Sequence, residues 1–194
     1  MKLSLIMCAT MLVLSCFTVL SFPKGAMAAD GAGAQKILIA YFSWSGNTRE
    51  IANQIRERVG GDLFEIKTVN AYPTEYRACT DLAKKEQNEN ARPALSTKVE
   101  NMDDYDVVFI GYPIWWGTTP MALFTFFEQY DLSGKTIVPF CTHGGSGLSR
   151  SASDIGKLCP KSTLLDGIAI RGSDAKSAQN DVAAWLENIG MGNK

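Results

Sequence analysis

Histidine is nearly absent from this chain, and that absence excludes a good deal. Among 194 residues there is one, His143. It lies in a glycine loop: a histidine-rich metal site lacks the residues it needs, and a Ser-His-Asp reading has no support there. Cysteine is also sparse, five in all. Two of them fall in the first twenty residues, leaving Cys79, Cys141 and Cys159, an odd number that makes no disulfide scaffold. Charge of one sign is lacking: the formal net charge is −1, which gives no electrostatic case for nucleic acid. No G-x-G-x-x-G follows the first strand-like run, and no G-x-x-x-x-G-K-[ST] occurs. Low-complexity and collagen-like tracts are missing too. At 46% hydrophobic and 20% charged residues, the composition is that of an ordinary globular domain.

The one long apolar run is N-terminal. Met1-Lys2 is followed by a nearly continuous apolar stretch from Leu3 to Leu20, and then by Ala26-Met27-Ala28. That order is expected of a secretory signal peptide over 1–28, cleaved near Ala28. A retained membrane anchor over Leu3–Phe22 and lipoprotein processing at Cys16 are the rival readings. Phe17-Thr18-Val19-Leu20 continues the apolar run where a lipoprotein tether should be polar. Removing Lys2 and Lys24 takes the net charge from −1 to −3. The expected product is exported, periplasmic and without stable membrane insertion. Residues 29–35 form a flexible lead-in and 36–194 the folded domain.

Strand-like runs then alternate with helix-like ones. Ile37–Phe42 and Asp106–Tyr112 are continuously apolar, as strands buried on both faces are. Asp62–Lys67, Lys135–Thr142 and Thr163–Ile170 complete a set of five predicted strands. Helices are expected over Asn47–Val59, Thr74–Asn90, Met121–Tyr130, Leu148–Leu158 and Ala175–Ile189. Thr119 reads as an N-cap with Pro120 at the first helical position. Tyr76, Cys79 and Ala83 share one side of the second helix. The alternation predicts an α/β fold with an open five-stranded parallel sheet, order 2-1-3-4-5, and helices on both faces. Ligands of such sheets bind beyond the strand carboxyl ends, where strand order reverses. Loops after strands one, three and four would meet there.

Those three loops are the unusual stretches of the chain. Ser43-Trp44-Ser45-Gly46-Asn47-Thr48 joins a strand to a helix N-terminus, where free amides and the helix dipole favour an anion. It offers hydroxyls and an amide but no Lys or Arg, as suits a phosphate monoester held by neutral donors. An ordinary Ser/Asn-rich turn is the alternative. Pro113-Ile114-Trp115-Trp116-Gly117 offers two indoles, either as a stacking wall for a flat ligand or as packing on the domain's own surface or a dimer contact. Thr142-His143-Gly144-Gly145-Ser146-Gly147 exposes backbone groups suited to the edge of a heterocycle. A phosphate at one loop and a ring against the other two describe FMN.

At these three stretches the sequence closely resembles the flavodoxin family, and the resemblance runs from Lys36 to Ile189. It implies a flavodoxin-like fold that binds FMN and acts as a low-potential electron-transfer protein. An FMN-dependent NAD(P)H:quinone or nitro reductase of the same fold is the alternative. Ser43, Ser45, Gly46, Asn47 and Thr48 would hold the phosphate, and Trp44 would add a further indole to the cofactor site. Pro113, Ile114, Trp115, Trp116, Gly117, Thr142, His143, Gly144, Gly145 and Gly147 would line the ring. His143 is either a solvated loop residue or a hydrogen-bond partner of the ring edge. Partners would be a redox protein or a small quinone-like acceptor, with the chain a monomer or weak dimer. Tyr76 and Arg92 are candidates to border a substrate space. The three later cysteines are expected to be reduced packing residues.

Overall fold

A computed structural model describes residues 35–192. Residues 1–28, expected to be a signal peptide, and most of 29–35, expected to be a lead-in, lie outside the described residues. The elements, in order, are β1 (Ile37–Tyr41), α1 (Asn47–Val59), β2 (Asp62–Glu65), α2 (Tyr76–Asn88), β3 (Val107–Pro113), α3 (Met121–Gln129), β4 (Thr136–His143), α4 (Ser151–Leu158), β5 (Thr163–Leu164), β6 (Ile168–Arg171) and α5 (Gln179–Asn188). The strands form one parallel sheet of order β2-β1-β3-β4-β5, with β6 also paired to β4. Strand order reverses between β1 and β3, as the alternation predicts.

Because β1, β3 and β4 are apolar at consecutive positions, they need cover on both faces, and they have it. On one face Ile39 and Val138 pack against Ile51 and Ile55 of α1 and Val182 and Leu186 of α5. On the other, Leu38, Val108 and Ile110 pack against Leu123 and Phe126 of α3 and Ile155 of α4. The Phe-rich α3 is therefore a core helix, with Phe126 fully buried. Helix α1 ends where Gly60 and Gly61 take positive φ.

Four expectations are corrected. The fifth strand is two short strands, β5 and β6, that pair with β4 at Thr136–Ile137 and Phe140–His143. The gap falls opposite Val138 and Pro139. Pro139 has no N–H to give a ladder, and the outer chain bows past it with one extra residue. The bow is fixed by Trp185, whose Nε1 donates to the Asp166 carbonyl at 2.8 Å. Thr119 does not cap α3: Pro120 holds the cap position, with no side-chain cap bond. Helix α4 starts at Ser151 rather than Leu148, because Ser149 is left-handed (φ 51°) and breaks the helical run. The last helix is preceded by a 3₁₀ segment, Gly172–Ser177, and begins at Gln179. Among the described residues no helix is long and apolar enough to cross a membrane.

Candidate functional site

The loops after β1, β3 and β4 meet at a cavity of about 430 Å³ above the strand carboxyl ends. That lies within the range typical of a small-ligand site. Trp44, Ser45 and Asn47 line it from the first loop, Pro113, Ile114, Trp115 and Trp116 from the second, and Thr142, His143 and Gly144 from the third. Ser43, Gly46, Thr48, Gly117, Gly145 and Gly147 belong to the same loops but do not line the cavity.

The first loop leaves a helix start open toward the cavity. Gly46 enters α1 at φ 90°, and the helix has no side-chain cap. Ser43 Oγ accepts from the Arg49 amide at 3.2 Å, one turn further in. Among the described residues, no acceptor engages the backbone amides of Asn47 and Thr48. These are the amides that a helix start offers to an anion. Arg49 itself points away, paired with Glu65 of β2. The Thr48 hydroxyl turns inward to that of Thr142 and ties the first loop to the third.

The second loop is a two-residue hairpin. Trp115 and Thr118 exchange backbone hydrogen bonds of 2.9 and 3.1 Å. Between them Trp116 and Gly117 both have positive φ, 51° and 82°, the pattern of a type I′ turn. Glycine takes this geometry freely. A tryptophan in it stores strain on the order of 1–3 kcal/mol and needs its surroundings to hold it. The two indoles are placed differently. Trp115 packs edge-on against Phe42 and Tyr72, with centroids 5.4 and 5.0 Å apart. Trp116 is 50% exposed at the cavity mouth. Tyr112, just before the loop, is fully buried, and its hydroxyl lies 3.0 Å from Ser151 Oγ.

In the third loop His143 Nδ1 accepts the Gly145 amide at 2.9 Å. The neutral ring therefore carries its proton on Nε2, leaving that N–H as a donor. Gly145 (φ 148°) and Gly147 (φ 61°) give the loop its path.

Four lining residues come from elsewhere: Tyr76, Cys79 and Thr80 of α2, and Gly172 after β6. Tyr76 was expected on the buried side of α2 and is instead 71% exposed, with its ring 6.4 Å from that of Trp44. Trp44 is fixed by its Nε1, which donates to the Pro73 carbonyl at 2.9 Å. Arg92 takes no part: it pairs with Glu128 and covers Phe124. Gly172 had no local signal. A methyl group there would stand 2.7 Å from Asn47 Nδ2, so a side chain would push the loop amide out of place.

Cys79, Cys141 and Cys159 are free and buried, and burial pushes their thiols up to about 11, 12 and 11. They are packing residues, as expected. Among the described residues, no cluster of His, Cys, Asp or Glu could hold a metal ion.

The family model described as Flavodoxin matches residues 36–189. The chain belongs to the flavodoxin family. A solved structure from Bacteroides eggerthii, of a protein provisionally classed as a flavoprotein, is 38% identical, with a TM-score of 0.71 over 80% of this chain and 98% of that one. A second, from Bacteroides uniformis and classed the same way, is 30% identical, with a TM-score of 0.72 over 80% and 99%. A flavoprotein from Lactobacillus acidophilus, solved in complex with FMN, shares the fold at 24% identity, with a TM-score of 0.63 over 74% and 98%. A search of curated proteins finds no match. In this flavodoxin the cavity lies at the reversal of strand order, with α2 as an added wall.

Proposed function

We propose that this flavodoxin binds FMN non-covalently in the cavity and works as a low-potential electron carrier. The family and the FMN complex of the Lactobacillus relative support FMN as the cofactor. The observation that carries the reading is the pairing of two unlike ends in one cavity: open amides at the start of α1, and an indole-lined slot at Trp115 and Trp116. The residues fit the group. The amides of Asn47 and Thr48 and the side chains of Ser45 and Asn47 would hold a phosphate with neutral donors. Ile114, Trp115 and Trp116 would cover a flat ring, and His143 Nε2–H and the Gly144 backbone would meet its polar edge.

The bound cofactor supplies the electron chemistry, and the protein supplies position and surroundings. Electron-rich indoles disfavour added negative charge on a neighbouring ring and so lower its potential. Export through a signal peptide ending near Ala28 belongs to the same proposal, with an exported redox protein as partner.

Anaerobic reductive titration of the FMN-loaded protein tests this reading. Two resolved one-electron steps are expected. A single two-electron step, with turnover of a nicotinamide nucleotide and a quinone, would replace the carrier with a reductase. No FMN uptake would overturn both.

A further inference from the structure

Helix α2 closes the side of the cavity, yet only Cys79 and Ala83 of its residues are buried. Tyr76 stands beside Trp44, and Glu86 accepts from Tyr72; the densest set of ties to the site is on one further residue, Trp116. Trp116 Nε1 donates to the Thr80 carbonyl at 2.9 Å. The Trp116 carbonyl accepts from Gln87 Nε2 at 3.3 Å. Lys84 Nζ stands 5.1 Å from the Trp116 ring centroid and donates to Gln87 Oε1 at 3.2 Å. Positions 80, 84 and 87 follow one another along one face of the helix. They grip both the ring and the backbone of the residue forced into left-handed geometry.

We propose that Thr80, Lys84 and Gln87 form a latch on Trp116 that holds α2 down as the cavity's lid, making Lys84 and Gln87 positioning residues that set the rate of entry to the site. The bonds that hold the strained Trp116 are also bonds that hold the lid, so weakening them loosens both. Neither Lys84 nor Gln87 lines the cavity. That entry serves FMN rests on the function proposed above; that α2 opens does not.

Cys79 reports the motion without any cofactor. It is 3% exposed, sits on the buried face of α2 and lines the cavity, whereas Cys141 and Cys159 do not line it. The experiment is alkylation of the purified, FMN-free protein by a small maleimide, with the rate at each cysteine resolved by peptide mass spectrometry. In Gln87→Ala and Lys84→Met, Cys79 should react roughly 2- to 10-fold faster, as expected for the loss of one weak tether. Rates at Cys141 and Cys159 should not change. Lys84→Arg keeps a cation over the indole and should return Cys79 to the wild-type rate.

Equal acceleration at all three cysteines would mean general loosening and would overturn the latch. So would a Cys79 rate unaltered in both variants. Added FMN should protect Cys79 in the wild type. Absence of protection would count against the cofactor reading while leaving a variant-specific acceleration, and the latch, in place.

Discussion

The hydroxyls of Thr48 and Thr142 lie 2.9 Å apart, both residues buried. Thr48 stands in the first turn of α1 and Thr142 near the end of β4, so this contact joins the anion loop to the ring-edge loop across the sheet. Thr48→Val keeps the shape, removes one partner and leaves the Thr142 hydroxyl buried and unmatched. The expected loss is about 1–3 kcal/mol of stability, seen as a lower denaturant midpoint. FMN affinity should fall with it, because the two loops lose their shared register. Thr48→Ser, which keeps the hydroxyl, should retain affinity within a few fold. If Thr48→Val binds FMN as the wild type does, the contact is structural only.

Gly117 is the glycine of the hairpin that carries Trp116. At φ 82° an alanine is strained, and its methyl group would also stand 3.3 Å from Ser149 Oγ. Gly117→Ala should cost on the order of 1 kcal/mol from backbone geometry, and more if Ser149 cannot yield. Gly134, at φ 77° in open space, is the control: Gly134→Ala carries the same kind of strain without the contact. Urea melts of the two variants separate the terms. FMN binding should weaken in Gly117→Ala alone.

Why the sequence shows some of this and hides the rest follows from how far each signal reaches. Helix α1 is legible to the residue because its determinants are local: Ile51 and Ile55 one turn apart on the buried face, and Gly60-Gly61 at the end. The three loops are legible because each carries its own chemistry in consecutive residues. The division of the outer strand depends on Pro139 in its neighbour, a proline inside a central strand, which was the available clue. Gly172 and the α2 wall have no such local mark. Gly172 is small because Asn47, far away in the chain, occupies the space. Thr80, Lys84 and Gln87 read as an ordinary polar helix face until Trp116 is placed beside them.

Glu86 gives a pH dependence with a definite sign. Its carboxyl is half-buried beside Tyr72, whose hydroxyl donates to Oε2 at 2.7 Å. Burial raises it above the ordinary carboxylate range, and the Tyr72 hydrogen bond offsets only part of that. The native state therefore holds the proton more tightly than the unfolded chain does. The stabilising contribution of the protonated form is complete below the unfolded value, about 4.3, and is lost as pH rises through the raised native value. Glu86→Gln keeps an acceptor for Tyr72 and removes the ionisation. Its stability relative to the wild type should therefore improve from about pH 4 to pH 7, measured by urea melts across that range. A constant difference would show that Glu86 does not titrate with folding.

Gly167 sits where the outer strand bows past Pro139. A methyl group there would meet the Pro139 carbonyl oxygen at 2.8 Å and its Cγ at 3.1 Å. Both obstacles belong to a rigid residue in a central strand, so the bow itself must move. The displacement would pass to β6, which begins at Ile168 and ends at Arg171, just before Gly172 and the cavity. Gly167→Ala should then cost about 1–3 kcal/mol, the usual penalty for overpacking a well-filled site, and should also weaken FMN binding although it lies outside the cavity lining. Gly156→Ala is the matched comparison, since its methyl group would meet only Leu164 Cδ2 at 3.7 Å, an ordinary contact. Within α4, alanine is also the better helix former. Gly156→Ala should therefore melt at or above the wild-type midpoint, while Gly167→Ala melts below it. Equal midpoints for the two variants would mean that the bow yields freely and does not position β6.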